Sequence, residues 1–129
     1  MKVTLSDIVN FNNSIQSFLS KKIPLQGAFK LNQIIKSTSD SYSFYTEKLN
    51  EIIMKYSEKD EQNIPKFDES GQNILIQKDY IQECKDKLNE LLNIEVDIDD
   101  KNTISLKDLG DLDCTIQELQ GLSPFLREE

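Results

Sequence analysis

The chain has 129 residues, of which 37% are hydrophobic and 29% charged, enough for the core of one domain and too few for two. It carries a net charge of −8 and no histidine, which excludes the usual Ser-His and Cys-His nucleophile pairs and, with two isolated cysteines, a usual zinc site. The charge is uneven: residues 1–92 hold 13 acids and 12 bases, residues 93–129 hold 10 acids and 3 bases. Such an acidic end repels phosphate backbones and anionic lipid heads, and it attracts a basic partner surface.

Lys2-Val3-Thr4-Leu5 reads as a short strand. Thr4 or Ser6 then caps a helix carrying Ile8, Phe11, Ile15, Phe18 and Leu19 at helical spacing, with Asp7 in the dipole-favoured first turn. Pro24 biases Ile23 out of the α region and stops that helix near Lys22. Ala28, Leu31, Ile35, Thr38, Tyr42, Tyr45, Leu49, Ile52 and Tyr56 then recur at alternating steps of three and four, which predicts one unbroken helix over 25–57. Its weak point is Ser37-Thr38-Ser39-Asp40-Ser41, whose side chains compete for backbone hydrogen bonds and favour caps.

Glu58 to Ser70, with Pro65 and the following Gly71, reads as a mobile loop, and Asn73–Gln77 as briefly extended. Asp79 is the expected cap of a third helix through Asn93, whose stripe is Ile81, Cys84, Leu88 and Leu91. Cys84 on that stripe is a buried small hydrophobe. Glu95–Ile98 and Thr103–Leu106 alternate around Asp99-Asp100-Lys101-Asn102, a β-hairpin signal that buries Val96, Ile98, Ile104 and Leu106. Such a hairpin must dock on the helices or gain the Val3 strand. Thr115 and Glu118 have capping-box spacing for a short helix 116–121, followed by a turn around Pro124.

The fold class expected is therefore mainly α with a small β element. A long central helix packs against two shorter ones, with an acidic hairpin and a short C-terminal helix. A single domain 1–129 comprises a helical body of about 5–93 and an acidic region of about 94–129. No apolar leader follows Met1 and no run approaches the roughly 20 apolar residues of a membrane span, so the expected location is cytoplasmic, with reduced cysteines.

Candidate chemistry is sparse. The 4 glycines are scattered and form no phosphate loop, and no cofactor is implied. Aligned to an EF-hand loop, Asp97 and Asp99 fill the first and third positions, but Lys101 stands where the fifth ligand belongs and Asn102 where glycine turns the chain, so the segment reads as a polar turn. Tyr42 and Tyr45 admit two readings: stripe residues packed on the first helix, or, with Lys36, a pocket for a nucleobase and phosphate by stacking and charge.

Val3–Asn10, Leu88–Val96, Leu106–Leu112 and the closing Glu118-Leu119 with Leu122–Phe125 resemble a family of small uncharacterised proteins encoded by phages and prophages of Gram-positive bacteria. The resemblance spans most of the chain, matches poorly over Glu58–Gln72, and brings no catalytic residues. It implies a phage setting. Without site chemistry, the reading is a non-enzymatic protein that binds and interferes with a host component, including a defence component, through Asp97, Asp99, Asp100, Asp108, Asp111 and Asp113. The rivals are a virion or assembly role, with oligomerisation through the long helix, and a sponge that sequesters a signalling nucleotide.

Overall fold

The computed structural model describes residues 1–127. Its elements are β1 (Lys2–Thr4), α1 (Leu5–Phe18), α2 (Leu25–Tyr56), α3 (Ile81–Leu92), β2 (Glu95–Asp97) and α4 (Ile116–Leu122), with 3-10 turns at Lys78–Tyr80, Leu106–Leu109 and Ser123–Phe125. The mainly helical class with a small β element is as expected. Two compact units divide the chain: Met1–Ser43 with the residues from Ile94 onward, and Phe44–Asn93. α2 contributes its first part to one unit and its second part to the other.

α2 is the unbroken rod the spacing predicts, 32 residues and about 48 Å long. The serine–threonine run does not break it because the hydroxyls turn back on their own helix. Ser37 donates to the Ile34 carbonyl at 2.8 Å, Thr38 to Ile34 at 3.0 Å and Ile35 at 3.2 Å, and Ser39 to Lys36 at 3.1 Å. Each of these hydroxyls is satisfied without a new cap.

In the first unit the buried track of α2 is Gly27, Leu31, Ile34 and Thr38, rotated slightly from the expected stripe. The correction has a steric cause. A Cβ on Gly27 would stand 2.1 Å from the Asp108 carbonyl oxygen, so the missing side chain lets the 3-10 turn 106–109 press directly on α2. Ala28, expected inside, is exposed. α1 buries Leu5, Ile8, Phe11, Ile15 and Phe18, and Phe11 meets the Phe125 ring at 5.0 Å. α4 lies close on α1: a Cβ on Gly121 would stand 1.9 Å from Ser14 Oγ and 2.9 Å from the Asn10 carbonyl oxygen.

The sheet is antiparallel and two-stranded, but it is not the expected hairpin. β2 pairs with β1 in the register Lys2↔Asp97, Val3↔Val96, Thr4↔Glu95, while Ile104 bridges Leu126 in parallel. Ser105 and Asp108 form a capping box that turns the chain into a 3-10 turn immediately after Ile104, so 103–106 cannot run on as a strand. Ile98 and Ile104 are buried as expected and Val96 half-buried, but Leu106 is 61% exposed. Of the two expected caps of α1, Thr4 takes the position and forms a capping box with Asp7, and the expected box at Thr115 with Glu118 is present. α1 ends at Phe18, about a turn before Lys22.

In the second unit the segment read as a mobile loop is held by backbone pairing. Glu58 N–H donates to the Leu75 carbonyl at 2.8 Å, Leu75 N–H to Lys66 at 2.9 Å, and Lys66 N–H to Glu58 at 2.8 Å, a closed ring of three bonds. Bridges at Ser57↔Ile76, Lys59↔Pro65 and Phe67↔Ile74 flank it, and the pairing of Ile74 and Ile76 bears out the extended reading of 73–77. Aspartates organise its two turns. Asp60 accepts from the amides of Gln62 and Ile64, with Asn63 at φ 65; Asp68 accepts from Ser70 and Asn73, with Gly71 at φ 72. Those hydrogen bonds hold the Asp68 carboxyl down at about 2. Asp79 is not the cap of α3; it lies in the preceding 3-10 turn, and Tyr80 takes the N-cap position. The Tyr80 ring sits 5.9 Å from buried Tyr56. Cys84 and Leu91 are buried as the stripe requires, whereas Ile81 is exposed.

Candidate functional site

The acidic residues of the first unit separate into two kinds. Asp97, Asp99, Asp100, Asp111 and Asp113 are exposed; Asp108 is buried. Asp108 accepts from Lys30 Nζ at 2.8 Å, from the Ser105 amide at 3.0 Å and from Ser105 Oγ at 2.9 Å. The Lys30 ammonium and the Ser105 donors hold its carboxyl below the ordinary aspartate range. Asp108 therefore ties the 106–109 turn to α2 and presents no charge to a partner, which removes it from the acidic surface expected from sequence.

The exposed carboxylates also differ among themselves. Asp100 pairs with the Met1 ammonium at 2.6 Å, which lowers its pKa, and the same ammonium donates to the Ile98 carbonyl at 2.8 Å. Asp99 accepts from the Lys101 amide at 3.0 Å, with Lys101 Nζ at 3.9 Å. The carboxylates of Asp97, Asp111 and Asp113 make no ion pair or hydrogen bond among the described residues. Asp113 instead offers its backbone carbonyl to Lys21 Nζ at 3.0 Å.

Glu118, legible in the sequence only as a cap, has a second role. It accepts from Thr115 N–H as the capping box requires, from Ser17 Oγ of α1, and from Lys21 Nζ at 2.9 Å. The Ser17 hydroxyl first, then the Thr115 amide and Lys21, hold its carboxyl at about 2. The network sits at one edge of a polar groove of about 440 Å³ between α1 and α4, lined by Asn10, Asn13, Ser14, Gln117 and Gln120.

The aromatic candidates fall on α2. Lys36 is exposed and Tyr42 half-buried in the first unit; Tyr45 is half-buried in the second. Sequence reasoning missed a different feature of the first unit, an apolar groove between α1 and α2 lined by Ile15, Phe18, Leu19, Ala28, Leu31 and Ile35. Leu25 and Phe29, four apart on α2 and off the main stripe, are 87% and 61% exposed.

Both cysteines are free thiols; burial raises the pKa of Cys84, and Cys114 is exposed. Among the described residues, no group of three or more cysteine or carboxylate side chains is placed to hold a metal ion, and no helix is long and apolar enough to cross a membrane. Comparisons with protein-family models, with curated proteins and with solved structures find no match.

Proposed function

We propose that the chain is a non-catalytic interaction protein of phage or prophage origin, acting in the cytoplasm of a bacterial host. It docks its acidic region on a basic host surface and thereby interferes with a host component, a defence component among them. The observation that carries this reading is the exposure of Asp97, Asp99, Asp111 and Asp113 in a region of 10 acids and 3 bases, three of them with no partner for the carboxylate among the described residues. Fixed backbone supports them: β2 is paired with β1, and Lys21 holds the Asp113 carbonyl. Charges presented this way speed encounter with an opposite surface and select against like-charged partners.

The test is capture from a Gram-positive bacterial lysate, comparing the native chain with the variant D97N/D99N/D111N/D113N. The expected result is a partner enriched by the native chain at low salt, depleted at high salt and absent with the variant. Equal capture by both proteins contradicts the reading.

A further inference from the structure

We propose that the polar groove between α1 and α4 is a binding site, and that it takes an uncharged, extended stretch of peptide main chain. The groove lies within the first unit, and its volume of about 440 Å³ falls inside the roughly 300–1,000 Å³ range of ligand sites. Its α1 wall is Asn10, Asn13, Ser14 and Ser17, and its α4 wall is Gln117 and Gln120. The α1 residues stand at i, i+3, i+4 and i+7, so they form a second stripe beside the buried Ile8, Phe11, Ile15 and Phe18. A stripe of this spacing that faces a packed helix is ordinarily apolar. Here every member carries a hydrogen-bonding side chain.

The fold leaves these groups unused. Among the described residues the carboxamides of Asn10, Asn13, Gln117 and Gln120 make no hydrogen bond, and all four are exposed. The walls that carry them are fixed. Gly121 also lines the groove and is buried; a Cβ there would stand 2.5 Å from Ser14 Cβ, so α4 rests directly on α1 at the base. At one edge Ser17 and Lys21 both bond Glu118. The groove is therefore formed before a ligand arrives, which lowers the ordering cost of binding.

The lining chemistry selects the occupant. Among the described residues that line the groove, Glu118 alone is ionisable. Both its oxygens are taken, by Thr115 N–H, Ser17 Oγ and Lys21 Nζ, and the Lys21 ammonium cancels its charge. A charged ligand therefore finds no counter-charge. No aromatic ring lines the groove among the described residues, so a nucleobase has no face to stack on. What remains is hydrogen bonding in both directions. Each carboxamide offers N–H donors and a carbonyl acceptor in one plane, the complement of a peptide unit. Ser17 Oγ commits its single proton to the Ser14 carbonyl and the Glu118 carboxylate, so toward a ligand it only accepts, and a main-chain N–H supplies that bond. From Asn10 to Ser17 the helix rises about 10 Å, the reach of about three residues of extended chain. Main-chain hydrogen bonds supply the affinity, so binding here is tolerant of peptide sequence. An uncharged occupant also makes this site independent of the acidic surface.

The experiment is a proton–nitrogen NMR titration of the whole chain, followed at the side-chain amides of Asn10, Asn13, Gln117 and Gln120. The probe is the capped peptide acetyl-Ser-Val-Ser-Val-Ser-amide, titrated to millimolar concentration. Its control is the same chain with ester oxygens in place of the internal N–H groups; maltose and adenosine represent a neutral polyol and a base. The expected result is saturable shifts at the four carboxamides with the peptide, unchanged between low and high salt. The ester chain should bind at least tenfold more weakly, and maltose and adenosine should give no saturable shift. The variant N13A/Q117A, with its fold checked by circular dichroism, should lose the response at Asn10 and Gln120. No saturable shift with the peptide, equal binding of peptide and ester, saturable binding of maltose or adenosine, or an unchanged response in a folded N13A/Q117A would each overturn the proposal. The peptide and ester are compared on the native chain, so that arm decides even where the variant does not fold. The variant D97N/D99N/D111N/D113N should bind the peptide as the native chain does, so failure here is separable from failure of the acidic surface.

Discussion

Two glycines and one glutamate carry more than their types suggest. In the sequence Gly27 and Gly121 are two of four scattered glycines, yet each is a place where atoms of another element arrive. Gly27→Ala or Gly121→Ala should force the packed elements apart and cost about 1–3 kcal/mol, read by urea unfolding. An unchanged midpoint would mean the approach is looser than 2.1 or 1.9 Å implies. Glu118 provides a pH prediction. Its folded pKa of about 2 lies below the ordinary 4.5, so its stabilisation is complete above about pH 4.5 and is lost as pH falls toward 2. Glu118→Gln should lower Tm at pH 7 and flatten the decline between pH 5 and 2; a parallel decline in both proteins contradicts the assignment. Asp108 teaches the complementary lesson. Its place in a segment that also holds Asp111 and Asp113 suggested surface charge, but Ser105 three residues earlier was the capping signal that placed it inside.

Among the secondary-structure elements, periodicity made α1, α2 and α3 legible, because amphipathic spacing reports a helix whatever covers it, and the Thr115–Glu118 capping box announced α4. What covers it was less legible. The expected hairpin failed because alternation marks strand character and does not name a partner; β1 competes for β2, and the Ser105 cap diverts the other arm. The pairing that holds Glu58–Ser70 was not legible, because it comes from backbone bonds closed across three stretches, with no apolar pattern to announce them. Hydrogen exchange checks this: the amides of Glu58, Lys66 and Leu75 should be protected, and free exchange at all three would restore the mobile loop. Gly71→Ala, at φ 72, should destabilise the same segment by about 1 kcal/mol. The continuity of α2 has a test in the sign of an effect. Ser39→Ala in an exposed helix interior should stabilise by about 0.5 kcal/mol, whereas loss of a cap would cost about 1 kcal/mol.

The whole molecule combines an acidic region, a basic stretch over residues 8–39 and an apolar groove within a chain that lacks histidine. The acidic region was legible directly from composition. The groove was not, since it depends on which face of α2 turns inward, and that choice is made at Gly27 by the arrival of the Asp108 carbonyl. Function follows from which charges remain free once the internal pairs are formed. Lys30 with Asp108 and Lys21 with Glu118 are consumed by the fold; the carboxylates of Asp97, Asp111 and Asp113 make no ion pair or hydrogen bond among the described residues.

Whether those carboxylates form an interface is decided by the affinity of the captured partner for the native chain and for D97N/D99N/D111N/D113N, each at two salt concentrations. The variant should bind at least tenfold more weakly and with a much shallower salt dependence. An unchanged Kd with an unchanged salt response would show that the partner docks elsewhere.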